Sequence, residues 1–169
     1  MTTTSEEKLY QFWWLHDGLW YQNVARRFGF EAANELNKQC LRALARRSMQ
    51  AIVRERAVDT RQLDLGQLVE LYVAAARTLW PEAWVHLRAT ITGPDTFEVA
   101  LPKNFALDWL ERAGTLDRYD CPCLELRDGW FQGLGVRFEQ EKRDCKCRGA
   151  EACTFWARVE LPSRKDIHP

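Results

Sequence analysis

The 169-residue chain has no long apolar run. No stretch approaches the roughly 20 apolar residues that a membrane helix needs, so no span is expected. Its first residues, MTTTSEEKLY, hold no basic segment followed by an apolar stretch, so no secretory signal is expected either. An excess of one charge is also missing, because 24 basic side chains balance 24 acidic ones. That balance gives no overall pull toward nucleic acid or an anionic membrane. There is no internal repeat, no low-complexity tract and no Pro/Gly/Ser linker. A Gly-rich phosphate loop, a nucleophile elbow and a zincin motif are all lacking, which weighs against the common enzyme classes. The expected compartment is the cytoplasm. Thiols stay reduced there, and this weakens a disulfide reading of the six cysteines.

What is present looks globular: 46% hydrophobic and 28% charged residues, in a length normal for one domain. The reading is a single domain, 1–169, that changes character near Pro81. Residues 1–81 show helical periods, and 82–169 show strands and most of the cysteines. Thr4 and Glu7 fit a capping box. Leu9, Phe12, Trp13, His16, Trp20 and Val24 then recur near period 3.6 as one apolar stripe, and Gly29 is a natural stop. A second helix carries Ala33, Leu36, Cys40, Leu44 and Ile52. Its Lys38, Arg42, Arg46, Arg47, Arg54 and Arg56 read as a solvated basic face. Asp64 and Gln67 fit the cap of a third helix with Leu68, Leu71, Tyr72, Ala75 and Leu79.

Alternation from Trp84 to Thr92, the turn Gly93-Pro94-Asp95 and the return run Phe97, Val99, Leu101 predict a hairpin. Asn104 caps a short helix with Leu107 and Leu110. Another starts near Cys121, with Pro122 at its first position. Strands are predicted over 136–141 and 154–161, the second with Cys153, Phe155, Ala157, Val159 and Leu161 on one face. The expected fold class is α+β: three N-terminal helices packed on a small antiparallel sheet, with two shorter helices.

Chemistry concentrates in the cysteines. Cys121 and Cys123 form one Cys-x-Cys pair, Cys145 and Cys147 another, and Cys153 follows. Two separated pairs can offer a borderline-soft metal four thiolates from two chain segments. The first pair sits at an expected helix N-terminus, which favours thiolate. Lys142, Arg143, Lys146 and Arg148 add positive charge beside the second. Cys153, facing inward, competes for a place among four ligands. Zinc is the leading metal, and an iron–sulfur cluster uses the same ligands. A redox switch and plain buried thiols remain as other readings. Cys40 reads as core.

Eight tryptophans are many for this length. Core is their first explanation. The candidate ligand pocket is Trp13, His16, Trp20, Trp84 and His86, on the first helix and the hairpin. His168, in the tail, carries no signal.

The run YDCPCLELRDGW followed by RDCKCRGAEACTFWARVEL resembles the C-terminal part of 4-vinyl reductase-like domains. The shared pattern ends here in Cys147, Gly149, Cys153 and Phe155. FWWLHDGLWYQNVARRFGFEAANELN is similar to an uncharacterised prokaryotic family related to aminothiazoline-carboxylate hydrolase-like proteins. The first resemblance covers about the last third of the chain. It implies a small-molecule-binding module with a zinc-binding end, helices on an antiparallel sheet and a pocket between them.

The leading expectation is a cytosolic ligand-binding or sensory domain with a structural zinc site and a small apolar or aromatic ligand. The alternatives are a metal-dependent hydrolase of a small cyclic amide or thiazoline, with Asp120 or Glu151 as base, and a thiol redox sensor. No catalytic residue is identified. The aromatic excess makes a homodimer an expectation worth testing.

Overall fold

A computed structural model describes residues 5–161. Helices α1 (Ser5–Phe28) and α2 (Phe30–Glu55) are separated by Gly29 alone. Gly29 has a φ of 91°, a conformation that side chains disfavour, so the stop falls where expected. Thr4 of the expected capping box lies outside the described residues. Helix α3 (Leu65–Leu79) opens on a complete capping box. Gln67 N–H donates to Asp64 Oδ1 at 2.8 Å, and Asp64 N–H donates to Gln67 Oε1 at 3.0 Å.

Strands β1 (Val85–Ile91) and β2 (Thr96–Asn104) form the hairpin. Asn104 then caps α4 (Phe105–Arg112), accepting from Ala106 N–H at 3.1 Å. Helix α5 (Cys123–Leu134) starts just after Pro122, which is its N-cap rather than its first residue. Strands β3 (Arg137–Asp144) and β4 (Cys153–Glu160) complete an antiparallel sheet of order β1-β2-β4-β3. The class is therefore α+β, with five helices and a four-stranded sheet.

Period-2 patterning decides which face of the sheet is covered. Phe97 and Val99 of β2 lie opposite Ala157 and Phe155 of β4, and all four are buried. The intervening residues, such as Glu98 and Trp156, form the outer face. There Arg143 and Arg158 hold their guanidinium carbons 5.9 and 5.4 Å from the Trp156 ring centre. Strands β1 and β3 are the edges. Pairing in β1 shifts register between His86 and Arg88. Strand β3 reads RFEQEKRD, charged along its length.

Helix α5 crosses α2 at two glycines. A Cβ on Gly129 would meet the Arg42 carbonyl oxygen at 2.3 Å, and one on Gly133 would meet Met49 Cβ at 2.7 Å. The backbones approach because both positions lack a side chain. This seats Trp130, Phe131 and Leu134 in the core, where Trp130 packs edge-on to Tyr72 at 4.8 Å. On α2 the basic face is partly engaged. Lys38 pairs with Asp120 and Arg42 with Asp128, while Arg46, Arg47, Arg54 and Arg56 are exposed.

Two expectations need correction. The α1 stripe of Leu9, Phe12, Trp13 and Trp20 faces outward, and the buried residues are Trp14, Tyr21 and Ala25. Both sets fit a helical period, so periodicity alone left the phase open. Cys40 is exposed rather than core. The buried stripe of α2 runs through Ala33, Asn37, Ala45, Met49 and Ile52; Ala33 and Ile52 are where expected, and Leu36 and Cys40 lie off it, exposed. No helix among the described residues is long and apolar enough to cross a membrane.

Candidate metal centre and ligand cavity

Three chain segments bring the five C-terminal cysteines together. Cys121 and Cys123 flank Pro122 at the start of α5. Cys145 and Cys147 lie on the β3–β4 connection, which tightens into one 3-10 turn, Lys146–Arg148. Arg148 N–H donates to the Cys145 carbonyl at 2.9 Å. Gly149, at φ 87°, turns the chain back toward β4. Cys153 opens β4 opposite Leu101. The sulfurs of Cys121, Cys145 and Cys147 lie within 4.8 Å of one another, a group that could hold a metal ion. Cys123 Sγ is 2.8 Å from Cys121 Sγ. Cys153 Sγ, fully buried, accepts Lys146 N–H at 3.3 Å. All six cysteines are free thiols.

Proton sharing inside this group is uneven. Hydrogen bonding to Cys123, Cys145 and Cys147 keeps the proton on Cys121 and pushes its pKa well up. The bond from Cys121, helped by the Lys142 charge and opposed by burial, lowers Cys145 to about 5. The same donor lowers Cys147. Burial pushes Cys153 up to about 12. Thiolate character therefore gathers on the β3–β4 turn, with protons on neighbours that a metal would displace.

A cavity of about 250 Å³ lies between the helices and the inner face of the sheet. An apolar cavity of about 150 Å³ admits benzene, so this one has room for a substituted ring. Trp14, Trp80, Phe105, Trp109, Trp130 and Phe155 supply much of its wall. Cys121, Pro122 and Cys123 line it too, so the cavity and the cysteine group share the start of α5. Asp17 is a polar lining group, and burial raises its carboxyl pKa against the lowering charge of His16. Tyr72 is pushed up to about 12, chiefly by burial.

Arg127 also lines the cavity, and it is only 2% exposed. Its Nε donates to Gln140 Oε1 at 3.0 Å and its Nη1 to the Tyr72 hydroxyl. The guanidinium carbon stands 4.6 Å from the Phe155 ring centre. Arg127 Nη2 and Trp130 Nε1 are buried without a hydrogen-bond partner among the described residues.

None of the five pocket residues named from sequence lines this cavity. Trp13, His16 and Trp20 face solvent on α1, with the Trp13 and His16 rings stacked at 6.5 Å. His86 is exposed on edge strand β1. Trp84 is half-buried against Phe105 at 5.1 Å. The helix phase explains the difference, since Trp14 is one residue away from Trp13. Arg127 escaped the sequence reading altogether. Its signal was position: Cys123, Arg127 and Phe131 are four apart, which puts a charge on the buried stripe of α5. Of the two carboxylates considered as bases, Asp120 is paired with Lys38 and Glu151 is exposed; neither lines the cavity.

No family model and no curated protein matches the chain. Its fold does match solved structures. A trafficking protein particle complex subunit 3 from Naegleria fowleri, covalently bound to palmitic acid, aligns with a TM-score of 0.63 and 11% identity. That alignment covers 91% of this chain and 96% of the other. The phenol-responsive sensory domain of the transcription activator PoxR, with phenol, aligns with a TM-score of 0.62 and 16% identity. It covers 83% of this chain and 71% of that one. At these identities the likeness is one of fold.

Proposed function

We propose that this chain is a cytoplasmic small-molecule-binding sensory domain whose C-terminal half is closed by a zinc ion on thiolates. The observation that carries the reading is the shared start of α5, where Cys121 and Cys123 border both the cavity and the cysteine group. A ligand against that wall would touch the element that the metal holds. Two proteins similar in fold bind, by their descriptions, phenol and palmitic acid, one aromatic and one aliphatic. The resemblance of the last third to 4-vinyl reductase-like domains supports the same reading.

Zinc suits an all-sulfur donor set that draws tetrahedral coordination from two separated segments. Cys121, Cys145 and Cys147 supply three ligands, and Cys123 or Cys153 the fourth. An iron–sulfur cluster is the competing occupant. Four protein ligands make the site structural; three with a water would revive the hydrolase reading. The outward apolar stripe of α1 supports pairing between two copies, which light scattering would test.

Elemental analysis of protein purified anaerobically, without a histidine tag, should find about one zinc per chain. Titration with phenol or 1-naphthol should quench the tryptophans lining the cavity. No metal, with all six thiols titratable, would remove the zinc reading. No response to either probe or to a medium-chain fatty acid would remove the ligand reading.

A further inference from the structure

We infer that the cavity selects ligands with a carboxylate head on an apolar or aromatic body, and that Arg127 and Trp130 receive that head. The inference rests on the reading of the cavity as a small-molecule site. Its basis is a guanidinium 2% exposed whose two hydrogen-bond partners, Gln140 and Tyr72, are neutral. Burying a charge without a counter-charge is costly, so such a group calls for one. Asp128, the acid next in sequence, acts on Arg127 by its charge but is itself engaged by Arg42 at 3.2 Å and by Gln140, and it makes no hydrogen bond to the guanidinium among the described residues.

Among the described residues, two side chains that line the cavity keep a buried donor without a partner, Arg127 Nη2 and Trp130 Nε1. The residues are three apart on α5, hence on one face, and both line the cavity. A carboxylate offers two oxygens and one negative charge, matching two N–H donors and one guanidinium. A neutral hydroxyl would leave the charge uncompensated. A phosphate dianion would bring more charge than one arginine answers, among walls that are mostly apolar. Asp17 lines the α1 side of the cavity, and burial raises its carboxyl pKa. The competing role for Arg127 is to offset the thiolates, since the Cys123 charge acts on it.

The test is calorimetric titration of the full zinc-replete chain with phenylacetate, phenylacetamide and 1-naphthol. Wild type should bind phenylacetate at least about tenfold tighter than the amide, the gain expected of one charge-assisted pair. Arg127→Met should erase that preference, so that phenylacetate and phenylacetamide bind alike. Arg127→Lys should keep part of it, because charge remains but the planar fork is lost. Trp130→Phe should reduce it by a smaller factor. If wild type binds amide and carboxylate equally while 1-naphthol binds, the carboxylate inference falls and the cavity reading stands. If neither these probes nor a medium-chain fatty acid binds, the cavity reading fails and this inference with it. Loss of zinc in Arg127→Met but not in Arg127→Lys, with the preference intact in Trp130→Phe, would assign Arg127 to the thiolates and overturn the proposal. Should Arg127→Met not fold, the wild-type pair and Trp130→Phe decide.

Discussion

Helices α1 and α5 both wall the cavity, but they are held in opposite ways. Helix α5 has 12 residues and buries six of them, with its backbone pressed on α2 at Gly129 and Gly133. Helix α1 has 24 residues and buries three. Its attachment is a row of polar handles: Trp14 Nε1 to the Leu79 carbonyl at 3.1 Å, Tyr21 hydroxyl to Asn34 Oδ1 at 2.7 Å, Gln22 Nε2 to Thr115 Oγ1 at 2.8 Å. One wall is fixed by close packing and sulfur chemistry, the other by a few aromatic anchors. If the cavity binds a ligand as proposed, α1 is the wall expected to yield first, because fewer of its residues are buried.

Removing the metal should sharpen the contrast most. Chelation should lower the melting temperature by about 10 °C or more, as expected when metal binding contributes to folding free energy. Amide exchange should rise chiefly in residues 121–155. Equal acceleration in α1 would break the comparison, and an unchanged melting temperature would end the structural role of the metal.

Next in size is a pair of neighbouring tryptophans. Trp14 is buried, stacked on Trp80 at 5.9 Å and edge-on to Phe105 at 5.5 Å. Trp14→Ala should cost about 3–5 kcal/mol in denaturant unfolding. Trp13→Ala, on the solvent face, should stay within about 0.5 kcal/mol. Similar losses would mean that the outward stripe is covered in solution.

The same substitution on the two helices should have opposite signs. Gly129→Ala places a methyl against the Arg42 carbonyl and should cost about 2–3 kcal/mol. Gly18→Ala meets nothing within 4 Å and should gain up to about 1 kcal/mol from helix propensity. A neutral Gly129→Ala would show that the crossing yields.

The smallest effect is pH-dependent. Burial raises Asp17 above its ordinary 3.8, so the folded chain holds this proton more tightly than the unfolded one. Its contribution is fully present below 3.8 and is lost as pH rises through the folded value. Asp17→Asn should therefore raise the melting temperature at pH 7 by about 2 °C or less and change nothing below pH 3.8. A gain that persists in acid would point to a cause other than titration.

The sheet and the caps were readable because each residue there answers to one constraint. Phe97 and Val99, like Phe155 and Ala157, fall at every second position over a single buried face, and Asp64 with Gln67 has one geometric solution. Convergence of the two Cys-x-Cys pairs was legible for the same reason: thiols of one kind recur in two short segments. The phase of α1 was not, since apolar residues occupy more than one side of it and only the fold chooses between Trp13 and Trp14. Gly129 and Gly133 passed unnoticed because a glycine spacing of four gains meaning only beside the helix it touches. Arg127 was hidden by its charge, which reads as surface until Cys123 and Phe131 fix its stripe.

The two edge strands bear on how this molecule meets its own kind. Strand β1 breaks its register between His86 and Arg88, and β3 lines the other rim with charged residues of both signs. Both devices deny an incoming strand a flat, complementary ladder, so the sheet resists being extended into a continuous one. Any association between copies is thereby steered away from the backbone and toward side-chain surfaces.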